Sequence, residues 1–395
     1  MNFANLDAFM DRLAREKSPG CAVCVYVDDQ LVHTYAAGFA DLATREPMDI
    51  HKQVFLYSCS KVMTVTAALQ LLERGEFLLD DPLRSLSAYV PAFAHMAVRQ
   101  PDGSLADAKQ PITIRHLFTM TAGFDYIFNS AGHHAARAED PDMDTATVLR
   151  HMADNPLSFE PGSHWQYSLC HDALAGLVSV IAGMPFRTYV QKNILDPLAI
   201  DCAYHLTPER ASRMASQYRF VPDGADADFD IVEAQKYGKP TSGTYVNIGK
   251  TNNHIIGAAY DSGGAGVITC AAEYAKFVAA LARGGLGLNG ARILSPATVR
   301  LMHTDQLTPA QRADFNWSQL AGYGYGLGVR TMIDPARGGA LSPIGEFGWG
   351  GAAGATVLAD TQNRLAVVFV QHMLNPQEGY YQPRLRNVIY GGVGA

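Results

Sequence analysis

A serine and a lysine three residues apart are the side chains of this sequence best suited to nucleophilic chemistry. Ser58 and Lys61 open an apolar run, and no other serine in the chain has a lysine at this spacing. Three residues is close to one helical turn, so the ammonium group can lie over the hydroxyl. Unpaired N–H groups at the start of a helix also favour a developing oxyanion. The spacing therefore predicts an activated serine. Taken alone, it would fit a helix start with a solvated lysine equally well.

Three further segments favour the activated serine. Residues 160–168 place Tyr167 just after a Pro-Gly turn and just before a helical pattern. Residues 262–269 are rich in glycine and lead into a helix that begins near Ala271. Residues 347–354 contain four glycines and lead into a strand. Glycines at such places allow a backbone N–H group to come close to a substrate.

In this order and at these separations, the segments resemble the serine β-lactamase/penicillin-binding-protein superfamily. The resemblance is closest to its class C-like branch of esterases and acyltransferases, the family VIII carboxylesterases. It covers nearly the whole chain and includes residues 79–83, 112–123 and 195–199. It implies an α/β, β-lactamase/transpeptidase-like fold, with an antiparallel sheet flanked by helices and an inserted helical domain.

The resemblance also implies roles for individual residues. Ser58 matches the nucleophile, Lys61 its partner in the S-x-x-K motif, and Tyr167 the tyrosine of the second motif. The segment Trp349-Gly350-Gly351 lies where β-lactamases and peptidases carry K-T-G or H-x-G. The backbone N–H groups of Ser58 and Ala352 would then form the oxyanion hole.

Two departures from the β-lactamase pattern favour ester chemistry. The second motif is Tyr-Ser-Leu and lacks the asparagine that holds a substrate amide. In the third motif, Trp349 replaces a cation that would bind a substrate carboxylate. Loss of a charge-assisted hydrogen bond removes roughly 1.5–3 kcal/mol of binding, whereas an indole favours an apolar acyl or alcohol group.

The tyrosine of the second motif has a rival. Tyr245-Val246-Asn247 is a literal Y-x-N, but it lies in a polar segment without the turn and helix that surround Tyr167. We therefore favour Tyr167 and keep Tyr245 as a candidate for the substrate pocket. Further candidates for an aromatic pocket wall, which ordinary core packing would explain equally well, are Met120, Phe124, Tyr126 and Phe128.

The mechanism expected from these residues depends on a shared proton. Lysine and tyrosine both have ordinary pKa values near 10, so neither is a good base by itself. Close together they titrate as a unit, and the pair can accept the proton of Ser58. We expect Lys61 and Tyr167 to deprotonate Ser58 together. The sequence leaves open which of the two takes the proton first.

The pattern of elements predicts a domain of both chain ends, residues 1–76 and 240–395, and a mostly helical domain, residues 77–239, with the active site between them. A helix is predicted at the N-terminus, a hairpin over residues 20–38, and a helix from Ser58 that ends near Gly75. Further helices are predicted over 112–120, 174–181, 271–283 and 384–390, and strands over 324–331, 355–359 and 365–371. Residues 220–255 are polar and predict a long surface loop.

Composition excludes several classes of partner. The chain has 395 residues and a formal charge of −7 without a basic run, so neither nucleic acid nor an anionic membrane is expected to bind it. No apolar stretch approaches the roughly 18 residues that span a bilayer. The N-terminus lacks the basic start of a signal peptide. The six cysteines are scattered and predict buried free thiols, which favours a cytoplasmic protein.

The sequence thus predicts a serine hydrolase that cleaves small carboxylic esters through an acyl-serine intermediate. We expect no cofactor and no metal, and a small-molecule ester as the binding partner; the oligomeric state is not indicated. Three alternatives stay open: acyl transfer to an alcohol, hydrolysis of an amide or β-lactam, and an inactive binding domain on the same fold.

Overall fold

Strands from both ends of the chain form the central sheet. The computed structural model describes residues 1–86, 90–224 and 242–394. The strands in chain order are β1 (Gly20–Val27), β2 (Gln30–Asp41), β3 (Glu46–Pro47), β4 (Val54–Phe55), β5 (Ala97–Arg99), β6 (Leu105–Asp107), β7 (Gln217–Pro222), β8 (Gly243–Gly249), β9 (Ile268–Thr269), β10 (Tyr323–Tyr325), β11 (Arg330–Met332), β12 (Phe347–Gly350), β13 (Thr356–Asp360), β14 (Leu365–Val370) and β15 (Met373–Leu374). Eight of them pair antiparallel in the order β10-β11-β12-β13-β14-β1-β2-β3.

Helices cover both faces of this sheet and fill the segment between its two groups of strands. They are α1 (Ala4–Glu16), α2 (Ser60–Glu73), α3 (Ile114–Thr119), α4 (Ala131–Glu139), α5 (Thr145–Met152), α6 (Cys170–Ala182), α7 (Phe186–Val190), α8 (Asp196–Leu198), α9 (Pro208–Ser212), α10 (Ala271–Ala282), α11 (Pro296–Met302), α12 (Pro309–Asp314), α13 (Pro335–Gly338) and α14 (Glu378–Val393). A single 3-10 turn, Tyr57–Cys59, precedes α2.

Alternation along the central strands explains how the sheet binds helices on both sides. Side chains of a strand point to opposite faces in turn. On β1, Val23 and Val25 join the apolar cluster that contains α1 and α14, whereas Ala22 and Cys24 join the large cluster that contains α10. All six residues of β14 are buried. Because these strands pack on both faces, β-branched and aromatic residues are favoured in them.

Most elements predicted from the sequence are present in the structure. The N-terminal helix, the hairpin β1–β2, the helix after Ser58, and the helices α3, α6 and α10 lie where their patterns place them. The same holds for β13 and β14, while the closing helix α14 is longer than predicted and begins at Glu378. The described chain therefore has the β-lactamase/transpeptidase-like arrangement of an antiparallel sheet with flanking helices. The predicted division into two domains stays a prediction.

Two predictions of secondary structure were wrong. Residues 324–331 do not form one strand, because Gly328 has a φ of +81° and the chain turns between β10 and β11. The predicted surface loop at 220–255 contains the end of β7 and all of β8, which form a second sheet with β15; residues 225–241 of that segment lie outside the described chain. Tyr218, Phe220 and Met373 form an apolar cluster there, so burial of every second residue outweighs the polar composition.

All six cysteines are buried and unpaired, as their apolar contexts predicted. In the described part of the chain, no single helix is long and apolar enough to cross a bilayer, although α6 taken with the following segment to Leu198, bent by 75°, passes on length and composition.

Candidate active site

Ser58 lies in a tight turn that directs its side chain into a cavity. The turn begins at Tyr57, a non-glycine residue with a φ of +47°, which is an uncommon conformation that surrounding contacts must maintain. The hydroxyl group of Tyr274 donates to the Cys59 carbonyl at 2.8 Å, and Val267 N donates to the Ser60 hydroxyl at 2.9 Å. These bonds hold in place the two residues that follow the nucleophile.

Lys61 is fully buried and lies one helical turn beyond Ser58. Its Nζ is 3.3 Å from Ser58 Oγ, 3.4 Å from the hydroxyl oxygen of Tyr126 and 2.8 Å from the carbonyl oxygen of Gly264. Burial by itself lowers the pKa of Lys61. The opposing effects of the phenol oxygens of Tyr126 and Tyr167 and the carboxylate of Asp172 are larger together and raise the pKa above its ordinary range. The direction of this shift favours the ammonium form of Lys61 at neutral pH.

Asp172 supplies a buried negative charge behind this lysine. It is the third residue of α6, and its Oδ1 accepts hydrogen bonds from Tyr260, Ser262 and the backbone N–H of Gly264 at 2.7, 2.8 and 3.2 Å. The bonds fix the carboxylate beside the Gly264 peptide, whose carbonyl binds Lys61. The glycine-rich segment after Ser262 thus holds both charged groups.

Tyr167 stacks on two other aromatic rings. Its ring stacks on Tyr126 at 5.4 Å and on Trp349 at 5.7 Å between centroids. Trp349 Nε1 donates to the Tyr167 hydroxyl oxygen at 3.3 Å, and Lys61 Nζ lies 4.6 Å from the centroid of the Tyr167 ring. Tyr167 therefore contacts both an indole N–H group and the ammonium group of Lys61.

The glycines after Trp349 let this strand approach the nucleophile. A Cβ atom at Gly351 would overlap the carbonyl oxygen of Leu56, two residues before Ser58. Only glycine permits this contact, which brings the backbone from Gly350 to Ala352 against the serine turn. Gly350 and Ala352 line the same cavity as Ser58.

The cavity has a volume of about 580 Å³ and is mainly aromatic. Its lining residues come from both ends of the chain and from the segment between them. They are Tyr57, Ser58, Tyr126, Trp165, Gln166, Tyr167, His254, Trp317, Gln319, Leu320, Arg330, Trp349, Gly350, Ala352, Glu378 and Gln382. A mainly apolar pocket with few polar groups is typical of sites that bind small organic molecules.

The structure brings most of the candidate residues together. A continuous series of contacts links five of them: Ser58 contacts Lys61, Lys61 contacts Tyr126 and Tyr167, and Tyr167 contacts Trp349. Four of the candidates for an aromatic pocket wall, Met120, Phe124, Phe128 and Tyr245, are not among the lining residues. Phe124 is buried against Phe93, with ring centroids 6.2 Å apart. Tyr245 lies on β8 and packs on Phe220, outside the cavity lining of the described chain, because strand pairing with β7 turns it toward the second sheet.

Sequence reasoning missed four polar residues at or behind the site. Asp172 is a charged residue in an otherwise apolar helix, a signal that could have found it. His254, Arg330 and Glu378 line the cavity but lie in unrelated segments. Arg330 donates to Glu346 at 3.0 Å and both are buried, so its charge is largely offset. Burial raises the pKa of Glu378 to about 7, against the lowering effects of Arg330 and Arg386.

The chain is similar to known proteins over most of its length. The family model described as Beta-lactamase matches residues 4–389. Esterase EstB from Burkholderia gladioli is 29% identical over 98% of this chain and 95% of its own length. Monacolin J acid methylbutanoyltransferase from Aspergillus terreus is 27% identical over 68% of the chain and 61% of its own length.

A solved structure has the same fold over nearly the full length. It is that of EstCE1, described as a hydrolase with promiscuous acyltransferase activity, which superimposes with a TM-score of 0.77. The two sequences are 25% identical, and the match covers 98% of each chain.

Proposed function

The chain belongs to the beta-lactamase family, and we propose that it is a serine carboxylesterase that cleaves small carboxylic esters through an acyl-serine intermediate. The observation that carries this proposal is the position of the Lys61 ammonium, 3.3 Å from Ser58 Oγ and under the ring of Tyr167. Two relatives of this chain are named as an esterase and an acyltransferase, which supports an enzyme of the serine hydrolase and transferase type.

In the proposed acylation step, Ser58 Oγ attacks the ester carbonyl carbon and its proton passes to the Tyr167–Lys61 pair. Backbone N–H groups of Ser58 and Ala352 bind the resulting oxyanion, a contribution typically worth about 3–4 kcal/mol. The C–O bond to the alcohol then breaks, and Tyr167 returns the proton to the leaving oxygen. In the second half of the reaction, water attacks the acyl carbon and its proton passes to Tyr167. The bond to Ser58 Oγ then breaks, the proton returns to that oxygen, and the acid is released.

The charge of Lys61 favours Tyr167 as the first base. Because its pKa is raised, Lys61 keeps its proton and donates toward Ser58 Oγ rather than accepting from it. A cation beside two oxygens stabilises either one as an anion. Lys61 thus lowers the free energy of the serine alkoxide and of the tyrosine phenolate, while Tyr167 carries the proton.

Acyl transfer to an alcohol is the second candidate, and the aromatic lining favours it. Trp165, Trp317 and Trp349 line the cavity with little polar surface beside the serine. An organic alcohol gains more than water from contact with such walls. Amide or β-lactam hydrolysis is a weaker alternative, because Trp349 occupies the cation position and the Arg330 charge is offset by Glu346.

The primary test is time-resolved intact mass spectrometry with p-nitrophenyl acetate and butyrate. We expect a transient acyl adduct on the wild-type chain that maps to Ser58, with release of nitrophenol. Ser58→Ala should form no adduct, whereas Ser212→Ala, a matched change at an exposed serine on α9, should behave as wild type. Absence of adduct and turnover with ester, amide and lactam probes would instead favour an inactive binding domain.

A second experiment tests the lysine and the acceptor. Lys61→Met, which retains length without charge, should lower turnover by several orders of magnitude, and near-normal activity would contradict the scheme. Added primary alcohols should divert the acyl group into a new ester, measured as the ratio of transfer to hydrolysis at each alcohol concentration. The proposal includes a cytoplasmic location, which six buried, unpaired cysteines favour.

A further inference from the structure

His254 is a partly buried polar side chain in the Ser58 cavity that the proposed mechanism does not use. It lies between β8 and β9 and lines the cavity. Three aromatic rings meet it edge-on, with centroid distances of 5.6 Å to Tyr57, 5.9 Å to Tyr126 and 5.0 Å to Phe128. This cage restricts the rotation of the imidazole ring, so its two nitrogens keep defined directions.

Hydrogen bonds to Asn252 determine which nitrogen of His254 carries the proton. Asn252 Nδ2 donates to the Ala265 carbonyl at 2.9 Å, so the amide oxygen faces the other way. That oxygen accepts from the backbone N–H of His254 at 3.0 Å and lies 3.1 Å from its Nδ1. An amide oxygen can only accept, so Nδ1 must carry the hydrogen. The neutral ring therefore presents Nε2 as an acceptor.

The surroundings keep this ring neutral. Burial lowers the pKa of His254 to about 4, and the charge of Lys61 acts in the same direction, against a smaller opposing effect of Asp172. The ring therefore has no positive charge at neutral pH. In the described part of the chain, Nε2 of His254 has no hydrogen-bond partner and remains accessible to solvent. A free acceptor thus faces the cavity.

The position of His254 relative to Tyr167 indicates which half of an ester it meets. Tyr126 and Trp349 each stack on Tyr167. His254 contacts Tyr126 and also Tyr57, the neighbour of Ser58, and in the described part of the chain its ring contacts do not include Tyr167 or Trp349. Under the proposed function, Tyr167 exchanges protons with the leaving and entering oxygens, so the alcohol half lies beside Tyr167. The space near His254 is then left for the acyl chain.

We propose that His254 Nε2 binds a hydroxyl group on the acyl chain, so that esters of hydroxycarboxylic acids are the preferred substrate class. This inference rests on the proposed esterase function and adds the chemistry of the acyl group to it. A neutral acceptor in an otherwise aromatic wall favours a donor on the substrate, because an acyl chain without one would leave Nε2 unpaired when it displaces water.

The test compares p-nitrophenyl butyrate with the separate enantiomers of p-nitrophenyl 2-hydroxybutyrate and 3-hydroxybutyrate. For at least one hydroxy ester, we expect the wild-type kcat/KM to exceed that for butyrate by about threefold to tenfold, the range of one neutral hydrogen bond. His254→Phe should abolish this ratio mainly through KM, while His254→Asn, which keeps an acceptor oxygen, should retain part of it. Wild-type ratios near one for all four esters would overturn the inference.

Control measurements separate this inference from the esterase proposal. His134→Phe makes the same chemical change at an exposed residue of α4 and should leave the ratio unchanged. Butyrate turnover that depends on Ser58 reports the esterase function independently of any hydroxyl preference. Retention of the full ratio in His254→Phe would overturn the inference alone. The wild-type ratio should also stay constant from pH 6 to 9, and a change across that range would contradict a neutral acceptor.

Discussion

Lys61 and Asp172 bind the two backbone groups of one residue, Gly264. Lys61 Nζ donates to the carbonyl oxygen of Gly264 at 2.8 Å, and the backbone N–H of the same residue donates to Asp172 Oδ1 at 3.2 Å. The buried cation and the buried anion therefore interact through Gly264 rather than by direct contact. Asp172 helps to raise the pKa of Lys61 while leaving its ammonium group directed at Ser58 and the phenols.

This relationship predicts the effect of Asp172→Asn on the pH profile. Asparagine retains the shape and an acceptor oxygen but removes the charge that helps to raise the pKa of Lys61. The pKa of Lys61 should fall, and activity that needs the ammonium ion should be lost at lower pH than in the wild type. A shift of about one pH unit in the alkaline limb corresponds to about 1.4 kcal/mol.

The measurement for Asp172→Asn is kcat/KM for p-nitrophenyl butyrate from pH 6 to 11, corrected for nitrophenol ionisation. Tyr260→Phe is the matched control, since it removes a hydrogen bond to the same carboxylate but no charge. It should not move the alkaline limb to lower pH. An unchanged limb in a folded Asp172→Asn protein would show that this carboxylate does not act on Lys61.

Gly264→Ala should disrupt the same arrangement sterically. A Cβ atom at this position would overlap Asp172 Oδ2 and lie 3.1 Å from Lys61 Nζ. We expect the free energy of unfolding to fall by about 1–3 kcal/mol, as for other overpacked sites. The fractional loss of kcat should be much larger than the fractional loss of stability. Gly391→Ala is the control, because a Cβ there meets no atom within 4 Å and should be neutral or stabilising. Urea unfolding and kcat on the same samples test both effects, and a normal kcat in Gly264→Ala would contradict the geometry.

The parts of the site that the sequence predicted are those defined by local spacing. Ser58 and Lys61 are one helical turn apart, and Tyr167 follows a turn and precedes a helix, so short-range rules place them. The strand of Trp349 was recognisable from its glycines. Their convergence in one cavity agrees with the order of motifs in the family.

The parts that the sequence did not predict depend on tertiary packing. Nothing near His254 in the chain indicates that Tyr57, Tyr126 and Phe128 will surround it, because those residues come from distant segments. Tyr245 was misplaced for a related reason: its polar neighbours hide a strand whose position depends on pairing with β7. Long-range pairing of this kind has no signature in a single sequence.

Trp349→Phe should separate binding from chemistry. Phenylalanine keeps an aromatic wall but removes the Nε1–H that donates to the Tyr167 oxygen at 3.3 Å. Because the bond strengthens when that oxygen becomes negative, its loss should lower kcat by about tenfold or more, with little change in KM. Trp317→Phe is the control, since its ring contacts Tyr167 edge-on at 5.3 Å. The measurement is kcat and KM of both variants with p-nitrophenyl butyrate. A change confined to KM would argue against a role for Nε1 in the transition state.

Glu378 should make the stability of the protein depend on pH. Burial raises the pKa of this carboxyl group to about 7 in the folded state, against an ordinary value near 4.3. The folded protein therefore holds a proton that the unfolded chain has already released, and stability decreases as pH rises from about 4 through 7. The full effect of such a shift is on the order of 3 kcal/mol. Glu378→Gln cannot ionise, so its free energy of unfolding in urea should fall less than that of the wild type between pH 5 and 8. Equal slopes in the two proteins would mean that Glu378 is already ionised in the folded state at pH 5.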